Sequence, residues 1–151
     1  TAFSFLTVNY SNSFPVGLYF NRNFKDIERG TLYIFCPEYD EKMQFAEQNG
    51  FWGNINKSCG KTPKYLKKAL GLPYDKVIIK DNGVYINGQL ILNTEIILKN
   101  KAYNKDIEFI LEADEYFMLS DYNKYSYDSR YFGVIKKHQI ESNVIPIITL
   151  E

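Results

Sequence analysis

The chain has 151 residues, enough for one domain with a buried core and too few for two ordinary ones. Hydrophobic residues make up 45% of it and charged residues 24%, the profile of a folded domain. Eighteen basic residues balance eighteen acidic ones, so there is no basic footprint for nucleic acid and no nucleic-acid partner is expected.

Thirteen Tyr and eleven Phe tilt the expectation toward β structure, although an AT-rich genome would inflate Phe, Tyr, Asn, Ile and Lys together. The apolar start, residues 1–8, is far too short to span a bilayer. It reads equally as the tail of a membrane anchor or as a first strand. Strand-like runs follow at residues 16–20 and 31–35. Residues 40–48 then read as a helix, with Met43, Phe45 and Ala46 apolar and Gly50 placed to stop it. Residues 64–70 are open: propensity allows a helical turn, and Gly71 and Pro73 equally allow a strand that ends there. Further strands are predicted at residues 76–80, 84–86 and 89–92, the last two meeting across Asn87-Gly88, a strong hairpin signal. The pattern closes with strands at residues 107–111, 115–119, 130–136 and 144–149. No repeat, low-complexity tract or linker divides the chain. Residues 1–151 therefore read as one domain, mostly β with one or two short helices.

Cys36 and Cys59 lack the close Cys pairs and the further ligands that a metal site needs, and the single His138 cannot supply them. No metal or cofactor is expected. A disulfide is the natural reading in an oxidising compartment, worth roughly 3 kcal/mol for a loop of this length. Two reduced, buried thiols are the alternative. His138, between Lys137 and polar neighbours, reads as a surface residue, so a Ser-His-Asp hydrolase is disfavoured. A hydrolase built from this sequence needs a lysine or carboxylate base. A lysine, with an ordinary pKa of about 10.4, serves only if burial lowers that value by several units. Lys67 has apolar neighbours in Leu66, Ala69 and Leu70, but Lys61, Lys64 and Lys68 lie close by.

Three segments carry a resemblance that resolves the choice. Asn9-Tyr10-Ser11-Asn12-Ser13-Phe14-Pro15-Val16-Gly17-Leu18-Tyr19 resembles the nucleophile box of TraF-type conjugative-transfer peptidases, N-x-[ST]-x-S-x-P-x-G-x-Y. Tyr65-Leu66-Lys67-Lys68-Ala69-Leu70-Gly71-Leu72-Pro73-Tyr74-Asp75 is similar to the lysine box of signal peptidase I, which that family places on a strand. Tyr74 stands where the family usually has Gly. Tyr125-Ser126-Tyr127-Asp128-Ser129-Arg130-Tyr131-Phe132-Gly133 is similar to its S-x-D-S-R-[YF]-[WF]-G box. The two cysteines flanking a helix ahead of the lysine box, and the hairpin after it, resemble the TraF arrangement. Three ordered boxes at the expected spacing carry far more weight than any one alone.

The resemblance implies a signal peptidase/LexA-like β fold and a serine/lysine peptidase with Ser13 as nucleophile and Lys67 as general base. It implies an oxyanion hole made by the Ser13 N–H and the Ser11 hydroxyl. On a strand, Ser126, Asp128 and Arg130 would share one face, Ser126 aiming the lysine while Asp128 supports it and Arg130 forms an ion pair. Pro15 and Gly17 would stiffen the turn that carries the serine. The implied substrate is a conjugative pilin precursor or another exported protein, hydrolysed or cyclised at the periplasmic face of the bacterial inner membrane. The family's N-terminal membrane anchor is expected upstream of Thr1. Three rivals are weighed. A general signal peptidase I is disfavoured by proline two rather than three residues after the serine, and by the cysteine pair. A non-catalytic pilus or transfer-apparatus assembly factor is disfavoured by three intact boxes. A LexA-like self-cleaving repressor is disfavoured because no DNA-binding domain is apparent.

Overall fold

The computed structural model describes residues 5–99 and 107–150. Its strands are β1 (Leu6–Asn9), β2 (Val16–Arg22), β3 (Leu32–Phe35), β4 (Tyr65–Gly71), β5 (Lys76–Lys80) and β6 (Gly83–Ile86). They continue as β7 (Gln89–Leu90), β8 (Ile107–Ile110), β9 (Glu115–Leu119), β10 (Ile135–Lys136) and β11 (Ile140–Leu150). Two short helices, α1 (Glu41–Gln48) and α2 (Ser129–Phe132), and a 3-10 turn at Lys137–Gln139 complete the described elements. The fold is mostly β, as the sequence predicts. Of the apolar start, residues 1–4 lie outside the described residues, and Leu6–Asn9 is a strand.

Seven strands form one sheet in the order β1-β2-β11-β3-β4-β9-β10, and four form a second in the order β7-β6-β5-β8. Alternation along β4 and β9 explains why two sheets are needed. Ala69 and Met118 face a core that contains Phe35, Met43, Ala46 and Trp52, so α1 covers that side. Leu70, Phe117 and Leu119 face the other way, onto Val77, Ile79 and Val84 of the small sheet. Both strands are thus buried on both faces. A third cluster, Phe14, Tyr19, Ile34, Leu66 and Val144, underlies the turn between β1 and β2.

Local chemistry sets the ends of the elements. Asp40 caps α1, its carboxylate accepting the Lys42 and Met43 N–H groups at 3.0 and 3.1 Å. Asn87 and Gly88 adopt φ of +51° and +83°, the paired positive values of a tight hairpin turn. The open segment 64–70 resolves as strand β4, paired with β3 and β9. That choice turns Tyr65, Lys67 and Ala69 to one side and leaves Lys68 to bond Asp121 on the other, at 3.0 Å.

One predicted strand is wrong. Residues 130–136 split into α2, a bend at Gly133 and the short β10. Aromatic β propensity in Tyr131 and Phe132 loses to a cap, because the Asp128 carboxylate accepts the Arg130 N–H at 3.2 Å and starts a helical turn. Ser126, Asp128 and Arg130 therefore do not lie on one face of a strand. Ser126 sits in the preceding loop, Asp128 is the cap, and Arg130 is inside α2.

Candidate active site

The turn carrying Ser13 is built by its own box. Asn9, buried at the end of β1, donates from its amide to the carbonyls of Ser11, Phe14 and Pro15 at 3.0, 3.2 and 3.1 Å. Its Oδ1 accepts the Ser11 N–H at 3.1 Å. The Tyr19 hydroxyl donates to the Pro15 carbonyl at 2.6 Å. A Cβ on Gly17 would come within 2.1 Å of the Ile148 carbonyl oxygen, so only glycine lets β2 lie this close to β11. These contacts leave Ser13 fixed and only 9% exposed.

Lys67 reaches the same point from β4, where the strand geometry sends it inward and leaves it 3% exposed. Its Nζ donates to Ser13 Oγ at 2.6 Å and lies 5.6 Å from the centre of the Tyr65 ring. Burial lowers the Lys67 pKa from 10.5 to about 8, against the pull of Asp128, which raises it; Arg130 lowers it further. A lysine so placed is neutral in a useful fraction near neutral pH and can accept a proton from the hydroxyl it touches.

The third box meets the same serine. Ser126 Oγ lies 3.0 Å from Ser13 Oγ, so its partner is the serine rather than the expected lysine amine. Asp128 binds Arg130 through both carboxylate oxygens, with both side chains fully buried. Arg130 also donates to the carbonyls of Glu95 and Lys124 at 2.9 and 3.0 Å. The pair thus fastens the loop that presents Ser126. The two expected oxyanion donors face one another: the Ser13 N–H donates to Ser11 Oγ at 3.1 Å.

Ser120, Asn123 and Trp52 carried no clear signal in the sequence. Ser120, at the end of β9, donates from Oγ to the Ser13 carbonyl at 2.5 Å and gives its N–H to Asp128 at 3.0 Å. Asn123 donates to the Asn12 carbonyl at 3.0 Å. Trp52 donates its indole N–H to the Tyr65 hydroxyl at 2.8 Å, and burial pushes the Tyr65 pKa up to about 12. Cys36 and Cys59 are joined by a disulfide that closes the segment bearing α1 and Trp52. Ser11, Ser13, Trp52, Tyr65, Lys67 and Ser126 all line one cleft of about 1050 Å³. His138 is exposed on the 3-10 turn. Among the described residues no cluster of His, Cys, Asp and Glu is placed to hold a metal, and no helix is long and apolar enough to cross a membrane.

The chain's sequence places it in a known class. The family model for signal peptidase, peptidase S26, matches residues 2–148, and the chain belongs to that family. It is thus a serine peptidase of the signal peptidase type. Plasmid transfer protein TraF of Escherichia coli is 32% identical over 148 residues, covering 94% of this chain and 82% of the relative. A probable signal peptidase I-2 of Synechocystis sp. is 32% identical over 116 residues, 77% of this chain and 45% of the relative. Among solved structures, a signal peptidase I from Enterococcus faecalis aligns with 23% identity and a TM-score of 0.46, over 80% of this chain and 98% of that one.

Proposed function

We propose that this chain cleaves a conjugative pilin precursor at the periplasmic face of the bacterial inner membrane, held there by an N-terminal anchor, with Ser13 as nucleophile and Lys67 as general base. The observation that carries the reading is the 2.6 Å contact between Lys67 Nζ and Ser13 Oγ at the floor of the cleft. The lowered Lys67 pKa supports it, because it supplies the neutral amine that the chemistry requires. The pilin substrate follows from the TraF-type nucleophile box and from the plasmid-transfer relative.

Neutral Lys67 takes the Ser13 proton as Ser13 Oγ bonds to the substrate carbonyl carbon, and the carbonyl electron pair moves onto oxygen. That oxyanion replaces Ser11 Oγ as the acceptor for the Ser13 N–H, and the Ser11 hydroxyl turns to donate to it. One such donor is typically worth roughly 3 kcal/mol in the transition state. The intermediate collapses, the C–N bond breaks, and Lys67 passes its proton to the departing amine. Water then attacks the acyl ester carbon while Lys67 accepts its proton; the bond from that carbon to Ser13 Oγ breaks, and Lys67 returns the proton to Ser13 Oγ, releasing the carboxylic acid and regenerating the enzyme. If the pilin's own N-terminal amine attacks instead, the product is circular. Ser126 holds Ser13 Oγ in line, and the Asp128–Arg130 pair keeps Ser126 in place.

The test incubates a membrane-anchored form with the matching plasmid's pilin precursor in detergent or membranes, followed by mass spectrometry. Wild type should shorten the pilin, and Ser13→Ala and Lys67→Ala should not. A further loss of one water's mass identifies cyclisation. Processing by either variant overturns the dyad. An inactive wild type moves the assembly-factor reading or another exported substrate ahead.

A further inference from the structure

The loop between β9 and α2 grips the backbone on both sides of Ser13. Ser120 Oγ donates to the Ser13 carbonyl and accepts the Tyr122 and Asn123 N–H groups at 3.2 and 3.1 Å, so its hydroxyl is anchored in its own loop. Asn123 Nδ2 donates to the Asn12 carbonyl at 3.0 Å. The orientation of that amide is fixed, because its Oδ1 accepts the Tyr125 N–H at 2.9 Å. A flipped amide would lose that bond and set carbonyl against carbonyl.

The Asn12 carbonyl and the Ser13 N–H belong to one peptide unit. Such a unit is planar and trans, with its C=O and N–H pointing in opposite directions. Whatever fixes the carbonyl therefore fixes the direction of the N–H. A donor on the carbonyl also polarises the unit and strengthens the N–H as a donor in turn. We infer that Asn123 is a positioning residue, which aims the Ser13 N–H at the developing oxyanion by holding the Asn12 carbonyl from behind. The inference rests on the reading of Ser13 as nucleophile. It assigns Asn123 a role in the transition state and none in holding the substrate's ground state.

Asn123→Asp is the sharp variant. Its carboxylate still accepts the Tyr125 N–H, so the loop is kept, but it can no longer donate to the Asn12 carbonyl. Asn123→Ala removes both bonds without adding charge. Both are compared with wild type and Ser13→Ala on the pilin precursor, with a peptide boronic acid as the probe that forms a tetrahedral adduct on the serine. Rates are read on the high-pH plateau, where Lys67 is neutral and the new carboxylate cannot act through its titration. The expected result is a kcat about tenfold lower in both variants, with KM within about twofold and boronate affinity falling in step with kcat/KM. Thermal midpoints should stay near that of wild type for Asn123→Asp. Unchanged kcat in both variants, or a loss confined to KM with boronate affinity intact, overturns the inference while leaving the dyad standing. Processing by Ser13→Ala overturns the dyad and the inference with it.

Discussion

Asp128 holds Arg130 by both carboxylate oxygens, Oδ1 to Nε and Oδ2 to Nη2, each at 2.7 Å and fully out of solvent. The same carboxylate caps α2 and takes the Ser120 N–H, so it joins β9, the Ser126 loop and the helix. Removing its charge leaves a buried guanidinium unpaired, which typically costs 3–5 kcal/mol. Asp128→Asn should therefore lower the thermal midpoint by roughly 10 °C for a domain of this size. Calorimetry checks it, and a midpoint within about two degrees of wild type would show that the pair contributes little.

Lys67 must be neutral to take a proton, and its pKa is lowered to about 8. Below that pH, kcat/KM should fall about tenfold per unit, and above it the rate should level off. Asp128 raises the lysine's pKa, so any active Asp128→Asn enzyme should show its rising limb at lower pH than wild type. A profile flat from about pH 6 to about pH 9 argues against Lys67 as the base.

The same shift burdens the fold. The native lysine titrates near 8 and the unfolded one near its ordinary 10.5, so between these values the unfolded chain binds more protons. Stability attributable to Lys67 thus rises with pH across that window, and the cost of burying its charge is fully present below pH 8. Lys67→Met should be inactive yet more stable, by an amount on the order of 2–3 kcal/mol below pH 8 that fades above pH 10.5. Denaturant midpoints across that range measure the difference, and a gap independent of pH would contradict it.

Tyr74 adopts φ of +71° and is 72% exposed. The turn after β4 thus keeps a left-handed backbone where the family usually places glycine. A side chain there costs about 1–2 kcal/mol, partly offset by the greater freedom of glycine in the unfolded chain. Tyr74→Gly should raise stability by about 0.5–1 kcal/mol and leave the catalytic rate unchanged. A less stable variant would mean that the exposed ring makes a contribution its contacts do not explain.

The Cys36–Cys59 disulfide closes the segment that carries Trp52 against Tyr65. Cys36→Ala with Cys59→Ala should cost about 3 kcal/mol by freeing the unfolded chain. Because Trp52 and Tyr65 both line the cleft, KM should rise more than kcat falls. A loss confined to kcat would place the effect at the serine instead.

Much of this site was legible because boxes of sequence become single structural pieces. The Asn9–Tyr19 box folds into one braced turn, and its asparagine, glycine and tyrosine each take a backbone task within it. Residues 64–70 are ambiguous locally, since their propensities are even; burial on both faces decides for strand, and that is a tertiary fact. Residues 130–136 read as strand from their aromatic bias, which a single capping carboxylate, that of Asp128, outweighs. Ser120 and Asn123 gave no signal, because their partners are backbone carbonyls more than 100 residues away, and a carbonyl has no sequence identity.

The large sheet separates the two halves of the candidate site by intervening strands. Ser13 precedes β2 and Lys67 lies on β4, and between those strands stand β3 and β11, the last strand of the described chain. A nascent chain that stops short of Ile140 holds both residues but lacks the strand that joins their halves of the sheet. β11 thus joins, within the sheet, the half that carries Ser13 to the half that carries Lys67, so the alignment of the two residues depends on a strand that lies far from both in the chain.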